Sequence, residues 1–166
     1  MRDDEMRSEL EQPGAQELLR SAPLLHLAYR GLDGTPRVIP IGFLWNGTAI
    51  VICTIVDAPK NAALRRRPSV AVTIDSGHSP ADSKSLLVRG PASLETLDGI
   101  PREYIDAAAK TMSPDEVAGF EQAVTAGYEQ MVRITITPTW ARFYDFGAGR
   151  LPATLQRTLE AAAQRG

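Results

Sequence analysis

The sequence predicts a mainly β protein: a closed or nearly closed antiparallel barrel of about six to seven strands, with added helices. Two residue pairs, Asp33-Gly34 and Asn46-Gly47, stand between short apolar runs and are typical of tight hairpin turns. Two-residue turns join only antiparallel strands, so three successive strands should form a meander. No Gly-x-Gly-x-x-Gly sequence follows a predicted strand, which argues against a doubly wound dinucleotide-binding fold.

The first half of the chain predicts a helix, three strands in hairpin succession and a second helix. In that order, these elements cover residues 15–22, 24–31, 36–45, 48–56 and 59–67. In the second strand, Pro40 cannot donate a ladder hydrogen bond, and Gly42 leaves the same face shallow. Such a face suits a flat ligand ring, although a bent edge strand explains both residues equally well. Pro59 suits the first turn of the second helix.

The second half predicts further strands, two inserted helices and a helical tail. The expected strands cover 69–75, 85–95 and 131–147, and the expected helices cover 101–111, 114–130 and 153–164. A bend at Pro138 should divide the last strand in two, because proline interrupts a ladder. Ser113 as the N-cap and Pro114 in the first turn mark a clear helix start.

Length and composition suit one domain with a real core, since the chain has 166 residues of which 43% are hydrophobic. We expect a frayed N-terminus at 1–13, a barrel domain at 14–150 with a helical insertion at about 100–130, and a helical tail at 151–166. The net charge of −2 gives no general attraction to nucleic acid. The predicted helix over 114–130 contains no lysine or arginine, which excludes a recognition helix.

The residue types that usually carry chemistry are sparse. Cys53 is the single cysteine, so no intramolecular disulfide is expected and a reducing, cytoplasmic setting is favoured. No apolar run is long enough to span a membrane. His26 and His78 are far apart, and no metal site is predicted. No nucleophile or phosphate-loop motif is present, so the catalytic residues stay unknown and a cofactor would have to carry redox chemistry.

Lys60 is the charge that the sequence explains least well. It falls in the first turn of the helix after Pro59, where a cation beside the positive end of the helix dipole costs about 0.3–1 kcal/mol. A bound phosphate would reverse the sign of this effect, and the hydroxyl of Thr54 at the end of the preceding strand could reach the same place. The alternative is that the amine extends into water at almost no cost.

Several features stand in a family-like order: the strand "PRVIPIGFLW", a strand ending at Thr54, a helix opened by Lys60 and continued by "LRRRPSVAVTID", and a strand ending "VRGPASL". In this order they resemble the pyridoxamine 5′-phosphate oxidase-like, FMN-binding split-barrel superfamily over about residues 24–146. The resemblance implies a homodimer of six-stranded split barrels, with a flavin or a deazaflavin relative at each subunit interface.

The resemblance also implies a set of cofactor-binding residues. They are Val38, Ile39, Pro40, Ile41, Thr54, Lys60 and Asn61. The first four would lie along the isoalloxazine ring through their backbone, and the last three would hold the phosphate, with Asn61 assisting. Trp140, Arg142 and Phe143 would approach the cofactor or its substrate from the partner subunit. Ala58 departs from the hydroxyl residue that family members often carry two places before the lysine, and the face to which Arg37 points is left open.

The leading hypothesis is a flavin-dependent oxidoreductase that binds FMN at a homodimer interface and transfers hydride to or from a small organic substrate. An F420-dependent reductase of the same fold stays open, because F420 has similar ring and phosphate anatomy. A non-catalytic flavin- or haem-binding carrier or sensor also stays open, since no acid or base residue is readable. The substrate is not predicted, but no basic pocket for pyridoxal phosphate is apparent, so true pyridoxamine oxidase activity is not expected.

Overall fold

The computed structural model describes residues 1–165, and within them the chain forms eight strands and six helices. The strands are β1 (Leu24–Arg30), β2 (Pro36–Gly42), β3 (Leu44–Trp45), β4 (Ile50–Ile55), β5 (Ser69–Ser76), β6 (Lys84–Asp98), β7 (Gln130–Ile136) and β8 (Trp140–Asp145). The helices are α1 (Asp3–Leu10), α2 (Pro13–Ser21), α3 (Pro59–Arg66), α4 (Arg102–Ala109), α5 (Pro114–Gly127) and α6 (Ala153–Ala163).

The strands form one antiparallel sheet in the order β2-β1-β5-β6-β7-β4-β3, with β8 beside β6. β2 pairs with β1 and β3 pairs with β4, yet β2 and β3 are separated only by Phe43. The two ends of the sheet are therefore consecutive segments of the chain, and the sheet curls into a barrel. The predicted antiparallel split-barrel architecture is confirmed, although the strand expected over 36–45 is divided at Phe43.

The predicted hairpin turns form where the glycines allow them. Gly34 and Gly47 have φ angles of 84° and 99°, in the left-handed region that a tight turn requires and that glycine adopts without strain. The side chain of Asn46 accepts hydrogen bonds from the backbone N–H groups of Thr48 and Ala49, at 3.0 and 2.8 Å. These turns fix the registers of the flanking strands, and with them the faces that point into the barrel.

Alternate residues of the strands fill the interior of the barrel. Fully buried side chains such as Leu27, Ile52, Ile74 and Ile134 come from four different strands and belong to one apolar cluster. Burial alternates along β5, as expected for a strand with one face toward a core. Helix α2 contributes Leu18 and Leu19 to the same cluster.

β6 is the longest strand, and its two halves have different partners. Its first half pairs with β5 and β8, while its second half pairs with β7. Between β7 and β8, the N–H groups of Thr137 and Thr139 donate to the carbonyls of Pro91 and Arg89, at 3.1 and 2.9 Å. The segment around Pro138 therefore stays hydrogen-bonded to β6, and the strand is divided there into β7 and β8, as predicted.

The N-terminus differs from the expected frayed segment. Residues 3–10 form α1, and the buried carboxylate of Glu9 anchors this helix to β8. Glu9 accepts hydrogen bonds from Arg142 at 3.0 Å, from Arg150 at 2.6 Å and from the backbone N–H of Phe143 at 2.8 Å. These charge-assisted hydrogen bonds, whose partners are distant in sequence, hold α1 in place.

The helical insertion packs on the outer face of the barrel. Tyr104 of α4 lies against a second, smaller buried cluster that contains Cys53 and Met131, and Arg133 forms an ion pair of 2.8 Å with Glu103. α6 buries none of its described residues, and Gly166, the last residue of the predicted tail, lies outside the described part of the chain. None of the helices within residues 1–165 has both the length and the apolar character needed to cross a membrane.

Candidate functional site

The segment between β4 and α3 is held in place by Asn61. Its side-chain amide nitrogen donates to the carbonyls of Ile55 and Val56, at 3.0 and 2.8 Å. Ala58 occupies the N-cap position and provides no side-chain oxygen to accept from the first helical turn, and Pro59 follows it. Within residues 1–165, the first turn of α3 therefore receives no hydrogen bond from an N-cap side chain.

Lys60 lies in this uncapped first turn and is half-buried. Burial lowers the pKa of its amine below the usual 10.5, and no carboxylate within residues 1–165 offsets that effect. A charge that is both partly desolvated and close to the positive end of a helix is poorly satisfied. An anion bound at the start of α3 would stabilise it.

β2 forms an open edge close to the end of β4. It pairs with β1 and has no second neighbour in the sheet among residues 1–165, so one row of backbone groups stays free along the strand. Ile39 and Ile41 pack against the barrel core, whereas Val38 is 64% exposed and Pro40 is also exposed. The outward side is therefore an open, apolar surface, as expected where a planar group could lie against the main chain.

A cleft of about 380 Å³ lies between the ends of β2 and β4 and the helical insertion. Residues that line it include Ile41, Cys53, Thr54, Tyr104, Ala108 and Phe120. Of the seven cofactor residues implied by the sequence, the structure brings Ile41 and Thr54 together in this cleft. The lining does not include Lys60 and Asn61, which lie in the first turn of α3, or Val38 to Pro40, which precede Ile41 on β2.

The helical insertion helps to form the cleft, although the sequence did not identify which of its residues line it. Tyr104, Ala107 and Ala108 line the cleft, and their spacing of three and four residues places them on one face of α4; Thr111, just beyond the end of the helix, also lines it. That spacing is readable in the sequence, but the surface that this face covers is not. Burial raises the pKa of the Cys53 thiol to about 12, so this cleft residue is protonated at neutral pH and is a poor nucleophile.

Several residues that were expected at the cofactor make other contacts within the chain. The amide hydrogens of Asn61 are used by two carbonyls, so its side chain has no donor left for a phosphate. Phe143 is buried in the barrel core of its own chain, which corrects the expectation that it approaches a partner's cofactor. Arg142 is bonded to Glu9, and Arg37 is paired with Asp33 at 2.8 Å in the β1–β2 turn.

The three lysines of the chain should titrate separately. Burial lowers the pKa of Lys110 to about 8 and also lowers that of Lys60, whereas the hydrogen bond that Lys84 donates to the carboxylate of Glu17 raises the pKa of Lys84. NMR of the reductively ¹³C-methylated protein, assigned with Lys→Arg variants, should show the order Lys110 < Lys60 < Lys84. Three coincident titrations near 10.5 would contradict the burial of both low-pKa amines.

Comparisons with known proteins agree with this architecture. The family model described as pyridoxamine 5′-phosphate oxidase matches residues 11–142. A search of curated proteins gave no match. Among solved structures, the conserved hypothetical protein Rv2991 of Mycobacterium tuberculosis is 19% identical with a TM-score of 0.63, covering 92% of this chain and 89% of its own.

Two further solved structures have the same fold, and their names give them different roles. An F420 reductase is 22% identical with a TM-score of 0.54, covering 78% of this chain and 97% of its own. The haem storage protein HutZ of Vibrio cholerae is 16% identical with a TM-score of 0.56, covering 78% and 92%. At these identities the likeness establishes the fold alone. Because the family model spans most of the barrel, the chain belongs to the pyridoxamine 5′-phosphate oxidase-like family.

Proposed function

We propose that the protein is an FMN-dependent oxidoreductase that holds the cofactor at a homodimer interface and transfers hydride to or from a small organic substrate. Lys60 carries this proposal. Its amine is half-buried without a carboxylate partner in residues 1–165, at a helix start that has no capping side chain. A phosphate group would accept from the amine and interact favourably with the helix dipole, which removes both unfavourable terms.

The other residues fit the rest of such a cofactor. Thr54 is buried at the end of β4 and lines the cleft, so its hydroxyl can donate to a phosphate or ribityl oxygen. The open edge of β2 offers backbone groups and apolar surface to the ring along Val38 to Ile41. Bound FMN would supply the two-electron chemistry, which the side chains of this cleft cannot. Asn61 supports this arrangement by shaping the segment that carries Lys60.

A second copy of the chain would cover the outer face of β1 and β2. Directly paired residues share a face, so the pairs Leu24–Gly42 and Ala28–Val38 place their side chains on the same surface. On that surface Leu24 is 51% exposed and Val38 is 64% exposed. Exposed apolar side chains on a strand edge favour association. A homodimer formed here would bring the open edge of β2 to the interface.

F420 is the second candidate cofactor, because a solved F420 reductase has the same fold and F420 presents a similar ring and phosphate. Haem is a third, because a haem storage protein also has this fold. In either case Lys60 would meet an anionic group, a phosphate in F420 or a propionate in haem. The choice among FMN, F420 and haem would therefore depend on how the protein accommodates the ring system of each cofactor, because all three offer an anionic group to Lys60.

Titration of the purified protein with FMN, F420 and haemin tests the proposal. We expect FMN to bind one per subunit with a perturbed flavin spectrum, and sedimentation to report a dimer. Reduced nicotinamide should then bleach the bound flavin, which a carrier or sensor would not allow. Binding of F420 or haemin in preference to FMN would replace the proposed cofactor, and binding of none of the three would end the proposal.

A further inference from the structure

The cleft beside Thr54 has walls that are almost wholly uncharged. Its lining combines Cys53, Ile55, Tyr104 and Phe120 with small residues of α4, and none of the residues among 1–165 that line it carries a charged side chain. The polar groups that it offers are hydroxyls, from Thr54, Thr111 and Tyr104. This composition is typical of a small-molecule pocket with a few orienting hydrogen-bond groups.

Lys110, which precedes the lining residue Thr111 in the chain, has its amine bound outside the cleft. The amine of Lys110 donates to the backbone carbonyl of Ala22 at 3.0 Å and lies 3.7 Å from the centroid of the Phe43 ring. Both contacts hold the end of α4 onto the barrel. Lys110 is therefore already partnered, and an anionic ligand in the cleft would find no counter-charge there.

Part of the cleft wall is formed by α4 and α5, which contact each other through two aromatic rings. The rings of Tyr104 and Phe120 lie 5.5 Å apart between centroids and are tilted by 42°. Ala107 and Ala108 follow Tyr104 on the same face of α4, and their small side chains leave the space that larger residues would fill. The volume of about 380 Å³ falls within the range of small-molecule sites.

We propose that this cleft is the substrate site and that it selects an uncharged, largely apolar ring compound over a phosphorylated or carboxylated one. The inference rests on the proposed function, since Ile41 and Thr54 belong both to the cleft and to the residues assigned to the cofactor. A ring seated in the cleft beside Tyr104 and Phe120 would lie next to that cofactor. Its hydroxyl or carbonyl group would pair with a threonine or tyrosine hydroxyl of the lining.

A matched pair of probes tests the charge preference directly. 1-Naphthol and 1-naphthyl phosphate have the same ring system, and isothermal titration calorimetry measures both on the purified protein in the presence of saturating FMN, whose phosphate would fill the proposed anion site at Lys60. We expect naphthol to bind at least tenfold more tightly than naphthyl phosphate, because only the phosphate ester must lose the hydration of a charged group. Equal binding, tighter binding of the phosphate, or binding of neither probe would overturn the inference.

A matched pair of variants tests the location. Ala108→Arg places a cation in the cleft, whereas Ala109→Arg places the same residue on an exposed neighbouring position of α4 that does not line it. The first should weaken naphthol at least tenfold and strengthen naphthyl phosphate; the second should change neither by more than about twofold. Equal effects of the two variants would place the binding elsewhere. Circular dichroism of both variants verifies the helix content.

The two proposals fail separately. Loss of FMN binding with naphthol binding retained would refute the flavin function and leave the cleft as an apolar ligand site. FMN binding with no preference for naphthol would refute the substrate class alone. Because the calorimetric readout needs no turnover, neither result depends on an active holoenzyme.

Discussion

Replacing Gly90 by alanine should lower the free energy of unfolding by about 3 kcal/mol or more, or prevent folding. Gly90 is buried on β6, between the part that pairs with β8 and the part that pairs with β7. A Cβ added there would overlap the backbone carbonyl of Thr137. A backbone carbonyl cannot rotate away as a flexible side chain can. The overlap would therefore force β6 apart from the segment around Pro138 and disturb two strand pairings at once.

Gly119→Ala is the matched control for this substitution. Gly119 lies inside α5, and a Cβ there meets nothing within 4 Å. Because alanine is the better helix former, this variant should be more stable by about 0.5–1 kcal/mol. Urea unfolding followed by circular dichroism measures both variants. A Gly90→Ala protein as stable as the wild type would show that β6 and the turn at Pro138 are not packed as described.

Replacing Glu9 by alanine should destabilise the protein by about 2–4 kcal/mol. The carboxylate of Glu9 is buried and accepts three hydrogen bonds, two of them from guanidinium groups. Its loss leaves the N–H of Phe143 without its acceptor and detaches α1 from β8. Arg142 and Arg150 are partly exposed and can regain water, which keeps the effect below that of a fully buried ion pair.

The control for this variant is Glu11→Ala, at the exposed C-cap of the same helix, which should change stability by no more than about 0.5 kcal/mol. Amide hydrogen exchange provides the second readout. In the Glu9→Ala protein, protection should fall in α1 and β8 before it falls in the barrel core. If the two variants unfold at the same urea concentration, the carboxylate of Glu9 does not anchor the N-terminal helix.

The sequence contains enough local information to predict the barrel. Asp33-Gly34 and Asn46-Gly47 specify tight turns by their own conformational preferences, and the alternation of β5 specifies which face is buried. The proline at 138 likewise marks the point where the last strand divides. Each of these signals acts within a few residues, which is why sequence reasoning recovers it.

The features that were not predicted depend on distant residues. α1 is ordered by Arg142 and Arg150, more than 130 residues away from Glu9, and nothing near the N-terminus reveals those partners. The break at Phe43 follows from the closure of the sheet, in which one chain segment pairs first with β1 and then with β4. Such effects arise from tertiary structure, which local propensity does not encode.

The candidate site likewise has residues that local sequence features identify and others that only the structure locates. Lys60 is conspicuous in the sequence because helix electrostatics is local, and the structure adds its partial burial. Asn61, its neighbour, could be placed only by the structure, which shows that its amide is bonded to the carbonyls before α3. The cleft walls from α4 and α5 lie some 50 residues or more from Thr54 in the chain.

The most direct test of the account compares FMN with riboflavin, which lacks the phosphate, in the wild type and in Lys60→Met, with Lys84→Met as the control. A charge-assisted contact of about 1.5–3 kcal/mol corresponds to about 10- to 100-fold in affinity. The wild type and Lys84→Met should therefore prefer FMN by at least tenfold. Lys60→Met should lose most of that preference while its riboflavin affinity stays within about twofold. Equal affinities of the wild type for FMN and riboflavin, or equal weakening of both ligands by Lys60→Met, would contradict a phosphate site at the start of α3.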